Sequence, residues 1–287
     1  MRSRKRNRIR EGNPVVTGIL YLLVILICAV TLYPMYYVLI LSVSAPEIAA
    51  RMDVYWFPKG FSLDAYRMLI GDKEMWRAYL NTILYTVPTT LLMLATSVMI
   101  AYPLTYKRLM GRKYLNLFLL IPMYFSGGMI PAFLLITKLG LYANPLSQII
   151  PACFSIWNII LMKAFFSSIP EGMREAAKID GAGILRILKD VYLPLSKPIL
   201  AVISVYTIVG TWNSWFSALV YLPRTDWQPL QLFLRRILVE STRQVTEILT
   251  PELAAEMMRK QMSGAQLKYA MIIFTTLPIL FTYPSFQ

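Results

Sequence analysis

The sequence predicts an all-α membrane protein with six transmembrane helices and both termini on the inner side. Three observations carry that prediction. Hydrophobic residues fill 57% of the 287 positions and charged residues only 15%, a balance too apolar for a soluble fold of this length. The apolar residues gather in runs near the ~20 residues that a bilayer core requires. The positive excess, a net charge of +14 with no His, collects at the ends of those runs, as in proteins that face anionic lipid.

Residues 1–14 form a basic tail in which Arg2, Arg4, Lys5, Arg6, Arg8 and Arg10 are opposed only by Glu11, which places the tail in the cytoplasm. A basic start before an apolar run also opens secretory signals. The run 15–43 is longer than a signal's ~7–15 residues and lacks a small-residue cleavage site, so it reads as a retained first span, kinked at Pro34. Residues 44–78 are mixed and charge-balanced, with Trp56, Phe57 and Trp76 as interfacial anchors and a short surface helix over 63–70. The second span, 79–106, carries Pro88 and Pro103 and no charge. Lys107, Arg108, Arg112 and Lys113 then crowd into a short loop without an acid, the clearest cytoplasmic signal inside the chain.

The third span, 114–137, contains Pro122, Gly127, Gly128 and Pro131, a spacing that predicts a broken or strongly bent helix. The fourth, 146–166, has Lys163 near its inner end, where a long side chain can snorkel. Residues 168–198 are a long polar passage, cytoplasmic by count. The fifth span, 199–222, holds the cluster Thr211-Trp212-Asn213-Ser214-Trp215-Phe216. Residues 223–266 make an outer insertion with helical spacing over 230–240 and again over 251–262. The sixth span, 267–284, returns to the cytoplasm, and no basic residue follows it.

The passage 168–198 reads as two short helices with a glycine joint. Pro170 suits a first helical position, residues 171–178 are mostly helix formers, and Asp180-Gly181 ends the run because Gly tolerates positive φ. A second helix from Ile184 has to stop ahead of Pro194. Helices this short need a partner. The residues alone leave open an amphipathic loop lying on headgroups or a knob that docks into a soluble subunit.

Glu175-Ala176-Ala177, Asp180-Gly181-Ala182, Leu193-Pro194 and Pro198 resemble the EAA loop of ABC importer permeases. Leu188 stands where an aromatic is usual and Val191 where Ile is usual; both stay apolar. The resemblance extends along nearly the whole chain, through residues 125–131, 139–142, Trp157-Asn158, 212–218, Pro229-Leu230-Gln231 and Leu234-Arg235. These look like one branch of carbohydrate importer permeases, typical of Gram-positive bacteria and similar to permeases for aldouronate and other polysaccharide-derived oligosaccharides. The resemblance implies a type I ABC importer permease fold in the plasma membrane. It implies a homologous second permease, two ATP-binding subunits and an extracellular substrate-binding lipoprotein as partners. It implies that 168–198 forms the coupling helix, with Glu175 facing basic groups of the ATPase and Gly181 setting the bend. Related permeases usually continue into a short basic C-terminal tail, which leaves a truncated chain open.

Enzymatic constellations are absent from the sequence. There is no G-x-x-x-x-G-K-[ST], so ATP and Mg are expected on partner subunits. Without His, and with Cys28 and Cys153 apart in apolar runs, metal sites are not expected. Nucleic acid is not expected as a partner. Paired carboxylates within the spans are absent, which argues against a proton-coupled carrier. A pathway without charges suits a neutral, hydroxylated substrate. Trp212, Asn213, Trp215 and Phe216, and secondarily Trp157, Asn158 and Tyr124, offer stacking faces and amides for it, although aromatics in spans also serve packing and interfaces. The residues leave open a stand-alone secondary carrier or channel, and an ABC permease for peptide or lipid.

Overall fold

The computed structural model describes residues 14–240 and 251–285. Residues 1–13 of the expected basic tail and residues 241–250 of the expected outer insertion lie outside the described residues. Every regular element among the described residues is helical. In order these are α1 (Pro14–Ser42), α2 (Pro46–Arg51), α3 (Asp64–Gly71), α4 (Lys73–Thr105), α5 (Arg112–Tyr124), α6 (Met129–Lys138), α7 (Leu146–Ile149) and α8 (Ile156–Ser168). Then follow α9 (Glu171–Ile179), α10 (Ile184–Ile187), a π-turn (Leu188–Tyr192), α11 (Leu193–Leu195), α12 (Lys197–Trp212), α13 (Phe216–Tyr221), α14 (Leu230–Glu240) and α15 (Pro251–Ser285). Four stretches are long and apolar enough to cross a membrane, and six are if each of two bent helix pairs counts as one crossing.

Local chemistry explains the departures from the simplest reading. Helix α4 starts ahead of the expected second span because Asp72 caps it, its carboxylate accepting from the N–H groups of Glu74 at 2.7 Å and Met75 at 3.3 Å. Its 33 residues span about 50 Å. Helices α5 and α6 are bent by 115° at a joint where Gly128 takes φ +83° and ψ −178°, a conformation open to glycine alone. The fifth span breaks after Trp212, where Ser214 N–H turns back to Thr211 C=O at 3.1 Å, before α13 begins. At the other end of the chain the expected short helix over 251–262 and the last span are one continuous helix, α15. Gly264 is its only internal glycine and costs about 1 kcal/mol, too little to end a helix without a cap or proline.

The chain divides into two compact units. The first comprises residues Met1–Arg67 and Thr246–Ile273. Its core gathers Ile40, Leu41, Ala49, Val54 and Tyr269. The buried Gln266 amide donates to Ser42 C=O (3.3 Å) and Ser62 C=O (3.1 Å), which satisfies backbone groups that would otherwise be orphaned. Gly60 turns the chain at φ +63°, and a Cβ there would meet the Ala45 Cβ at 2.9 Å.

The second unit comprises Met68–Val245 and Phe274–Gln287. Helix α4 is its axis, packed most extensively against α8 and α12. Met93, Ala101, Tyr102, Met162, Phe166, Ile187, Tyr192 and Ile203 form its main core, and Tyr85, Ala218, Leu222 and Leu232 a second one. The first of these cores draws Ile187 and Tyr192 of the 168–198 passage onto α4 and α8.

Candidate functional site

The 168–198 passage is built as a capped helix on an aromatic anchor. Pro170 sits one position outside α9 at φ −56°, ψ 132°. At the far end Asp180 is the C-cap and Gly181 has φ +76°. Gly181 N–H donates to Lys178 C=O at 3.0 Å and Ala182 N–H to Ala177 C=O at 2.9 Å, the bond pair of a Schellman stop. Glu175, Ala176 and Asp180 are exposed, whereas Ala177, Ala182, Leu188 and Leu193 are partly buried against the main core. The tip presents Ile179, Ile184 and Leu185 to the surface at 86%, 61% and 79% exposure.

The second helix does not end at Pro194. Leu193 stays helical at φ −63°, ψ −45°, its N–H reaching Leu188 C=O through the π-turn, and Ser196 N–H recovers Tyr192 C=O at 3.0 Å. The wider π-turn gives the proline ring room that an α-turn denies it. Pro194 itself is exposed.

An anchor that the motif spacing does not disclose holds this passage to α4. Tyr102 donates to Ile184 C=O at 3.1 Å, and its hydroxyl lies 2.7 Å from that of Tyr106. The Tyr102 ring meets those of Tyr192 and Phe166 edge-on at 5.0 and 6.2 Å. Arg174 lies over the Tyr106 ring, 4.6 Å from its centre, and pairs with Glu171, which also accepts from Lys107 at 3.3 Å. The Lys107 hydrogen bond and charge, then Arg174, hold the Glu171 carboxyl below its ordinary range. The spacing of Tyr102 and Tyr106, four apart at the end of a span, is the one sequence signal that points to this anchor.

A cavity of about 540 Å³ opens within the second unit between α4, α8, α12 and the 145–155 and 214–229 segments. Among the described residues its lining contains no Asp, Glu, Lys or Arg. Tyr85, Tyr206, Tyr221 and Trp157 supply aromatic faces, and Gln148, Asn158, Thr207, Ser214 and Ser217 supply neutral polar groups. One wall is a relay: the Ser217 hydroxyl donates to Gln148 Oε1 at 2.7 Å, lies 2.8 Å from the Ser214 hydroxyl, and Gln148 Nε2 donates to Ser147 at 3.1 Å. Asn158 is buried and lines the cavity.

Trp157 and Asn158 therefore line the cavity, while the other expected pathway residues lie outside it. The Trp212 indole N–H is spent on Thr275 C=O at 3.1 Å, and its ring meets Tyr79 edge-on. Asn213 Oδ1 accepts from Gln231 at 3.3 Å. Trp215 lies beneath the Arg235 guanidinium at 3.8 Å and beside Phe216. Phe216 and Tyr124 are exposed, the latter at 75%. Tyr85, Gln148, Tyr206 and Ser217 are cavity residues that periodicity could not single out, because each comes from a different segment. Among the described residues no cluster of His, Cys, Asp and Glu could hold a metal.

A helical unit of membrane composition with a capped, exposed polar passage and an uncharged cavity is the architecture of a transport subunit. The chain belongs to the family described as binding-protein-dependent transport system inner membrane component, which matches residues 79–287. It is a membrane permease subunit and not an enzyme. Its relatives include the protein LplC of Bacillus subtilis (strain 168), 34% identical over 90% of this chain and 86% of that one. The polygalacturonan/rhamnogalacturonan transport system permease protein YtcP of the same organism is 32% identical over 96% and 94%. Among solved structures, one chain of a bacterial ABC transporter involved in the import of the acidic polysaccharide alginate superimposes with a TM-score of 0.84. It is 31% identical, over 99% of this chain and 98% of that one.

Proposed function

We propose that the chain is one of two homologous permeases of an ATP-driven importer for oligosaccharides, working by alternating access. The observation that carries the substrate class is the cavity lined by tyrosines, Trp157 and neutral amides and hydroxyls, without a charged side chain. Sugars stack on aromatic faces and exchange hydrogen bonds with such groups, and the Asn158 amide in the lining supports a ligand role. An extracellular lipid-anchored binding protein delivers the sugar, and two ATP-binding subunits hold ATP and Mg. In this reading the chain crosses the plasma membrane six times, with both termini inside. The Bacillus relatives support a Gram-positive host.

Residues 168–198 form the element that seats in an ATPase subunit. The exposed Glu175 and the apolar tip at Ile179, Ile184 and Leu185 support that role. ATP-driven closure carries this passage, and the helices between Tyr79 and Leu222 rock with it. The test is uptake into proteoliposomes. The complete set of subunits with binding protein takes up labelled oligosaccharide on ATP addition, and this chain alone does not. Uptake by this chain alone identifies a self-sufficient carrier and ends the reading.

A further inference from the structure

We infer that the second unit carries a defined seat for one anionic phospholipid, at the end of α4 and α5 beside the 168–198 passage. A groove of about 740 Å³ runs from Lys107, Arg112 and Lys113 along Tyr114, Leu117 and Leu120 of α5. Its chemistry is divided like that of a phospholipid. The three cations cluster at one end, and the exposed apolar side chains line the wall that follows.

The cationic end is organised before any ligand arrives. Arg112 Nε donates to Leu104 C=O at 2.8 Å, which pins the guanidinium at the close of α4 and leaves its terminal N–H groups for the groove. Asn116 is held by two bonds, its amide donating to Arg112 C=O at 2.7 Å and its oxygen accepting from Lys163. Among the described residues the one carboxylate paired with this cluster is Glu171, on Lys107, so three cations face one acid. A pinned guanidinium with free N–H groups suits a phosphate oxygen in particular.

The wall decides between a lipid and an acidic segment of another protein. Leu117 and Leu120 belong to the α5–α6 pair, which is long and apolar enough to cross a membrane. An acyl chain covers such a wall, whereas an acidic peptide would leave it bare. Basic pockets at the cytoplasmic ends of spans take anionic headgroups. Because Lys107 also holds Glu171, the first residue of α9, a phosphate at Arg112 and Lys113 sits next to the charge pair that seats the docking passage. The inference rests on membrane insertion and stands whether or not the cargo is a sugar.

The test uses the complex purified with its partner subunits, titrated with phosphatidylglycerol or phosphatidylcholine and read by native mass spectrometry. One phosphatidylglycerol adduct is expected in preference to phosphatidylcholine. The double variant Arg112→Gln/Lys113→Gln weakens it by about twenty-fivefold, at about fivefold per cation removed, and leaves phosphatidylcholine unchanged. Leu117→Asn weakens it too, with both cations intact. Size-exclusion chromatography establishes that each variant still assembles, and Lys138→Gln has no effect. An unchanged phosphatidylglycerol affinity in the double variant overturns the inference. So does an equal loss for both lipids. Displacement by glycerol phosphate at lipid-like concentrations makes it a free phosphate site, and a zero-length crosslink from Lys113 to a neighbouring subunit makes it a protein contact; either result overturns the lipid seat.

Discussion

Substituting Gly181 separates backbone conformation from side-chain volume at the joint of the 168–198 passage. Gly181 lies at φ +76°, and a Cβ built there has no heavy atom within 4 Å. Alanine therefore costs only the left-handed conformation, about 1–2 kcal/mol. That shifts the ratio of formed to unformed joint by roughly 5–30-fold. Asparagine, which enters this region more readily, costs less. Proline is confined to φ near −65° and has no N–H. It abolishes the bond to Lys178 C=O and redirects the chain after Asp180, at a cost of about 3 kcal/mol or more. The assay is the ATPase activity of the reconstituted complex stimulated by loaded binding protein, read beside basal ATPase and membrane insertion. Stimulation is expected to fall in the order Gly, Asn, Ala, Pro, with the proline variant inserted but uncoupled. If asparagine and alanine are as damaging as proline, space at position 181 is what matters and the conformational argument is wrong. Wild-type stimulation in the proline variant removes the joint from coupling altogether.

Four further outcomes follow from the same geometry. Glu175→Lys, a charge reversal at an exposed position of α9, leaves insertion intact and abolishes stimulated ATPase; retention of stimulation refutes an electrostatic contact there. Tyr102→Phe removes the bond to Ile184 C=O, which costs about 0.5–1.5 kcal/mol and speeds amide exchange over 184–187, measured by mass spectrometry. Asn158→Ala lowers oligosaccharide uptake while basal ATPase persists, whereas equal loss of both signals a folding defect. The Glu171 carboxyl is depressed below its ordinary value of 4.5 by Lys107 and then Arg174. A depressed carboxyl stabilises the folded contact with Lys107 and Arg174 above 4.5 and loses that contribution as pH falls through its lower folded value. The contact is therefore flat from pH 5 to 8. Lys107→Gln moves its loss up toward 4.5, and isotope-edited infrared titration of the carboxyl band checks both statements.

Much of this protein was legible residue by residue. The positive-φ stop at Gly181 follows from a helix-forming run that meets Asp-Gly, and the break at 125–128 follows from Gly127, Gly128 and Pro131. Both are decided by local backbone sterics. Pro194 shows where local reasoning ends. Its ring forbids an α-turn, but residues 188–192 widen into a π-turn while Ile187 and Tyr192 are packed into the core. The expected division at 262–267 failed for the same reason in reverse, because nothing local opposes a continuous α15.

The sequence by itself determined that the chain is helical, of membrane composition, and jointed within one polar passage. These are properties of composition and of residues a few positions apart. Only the tertiary structure decided that Trp157 and Asn158 share an uncharged cavity with Gln148, Tyr206 and Ser217 while the Trp212 indole bonds Thr275 C=O outside it. Only it showed that Tyr102 of α4 holds Ile184, 82 positions away. Such pairings depend on which faces of distant helices meet, and a helix turns every residue type to some face without recording in its spacing which neighbour it will find.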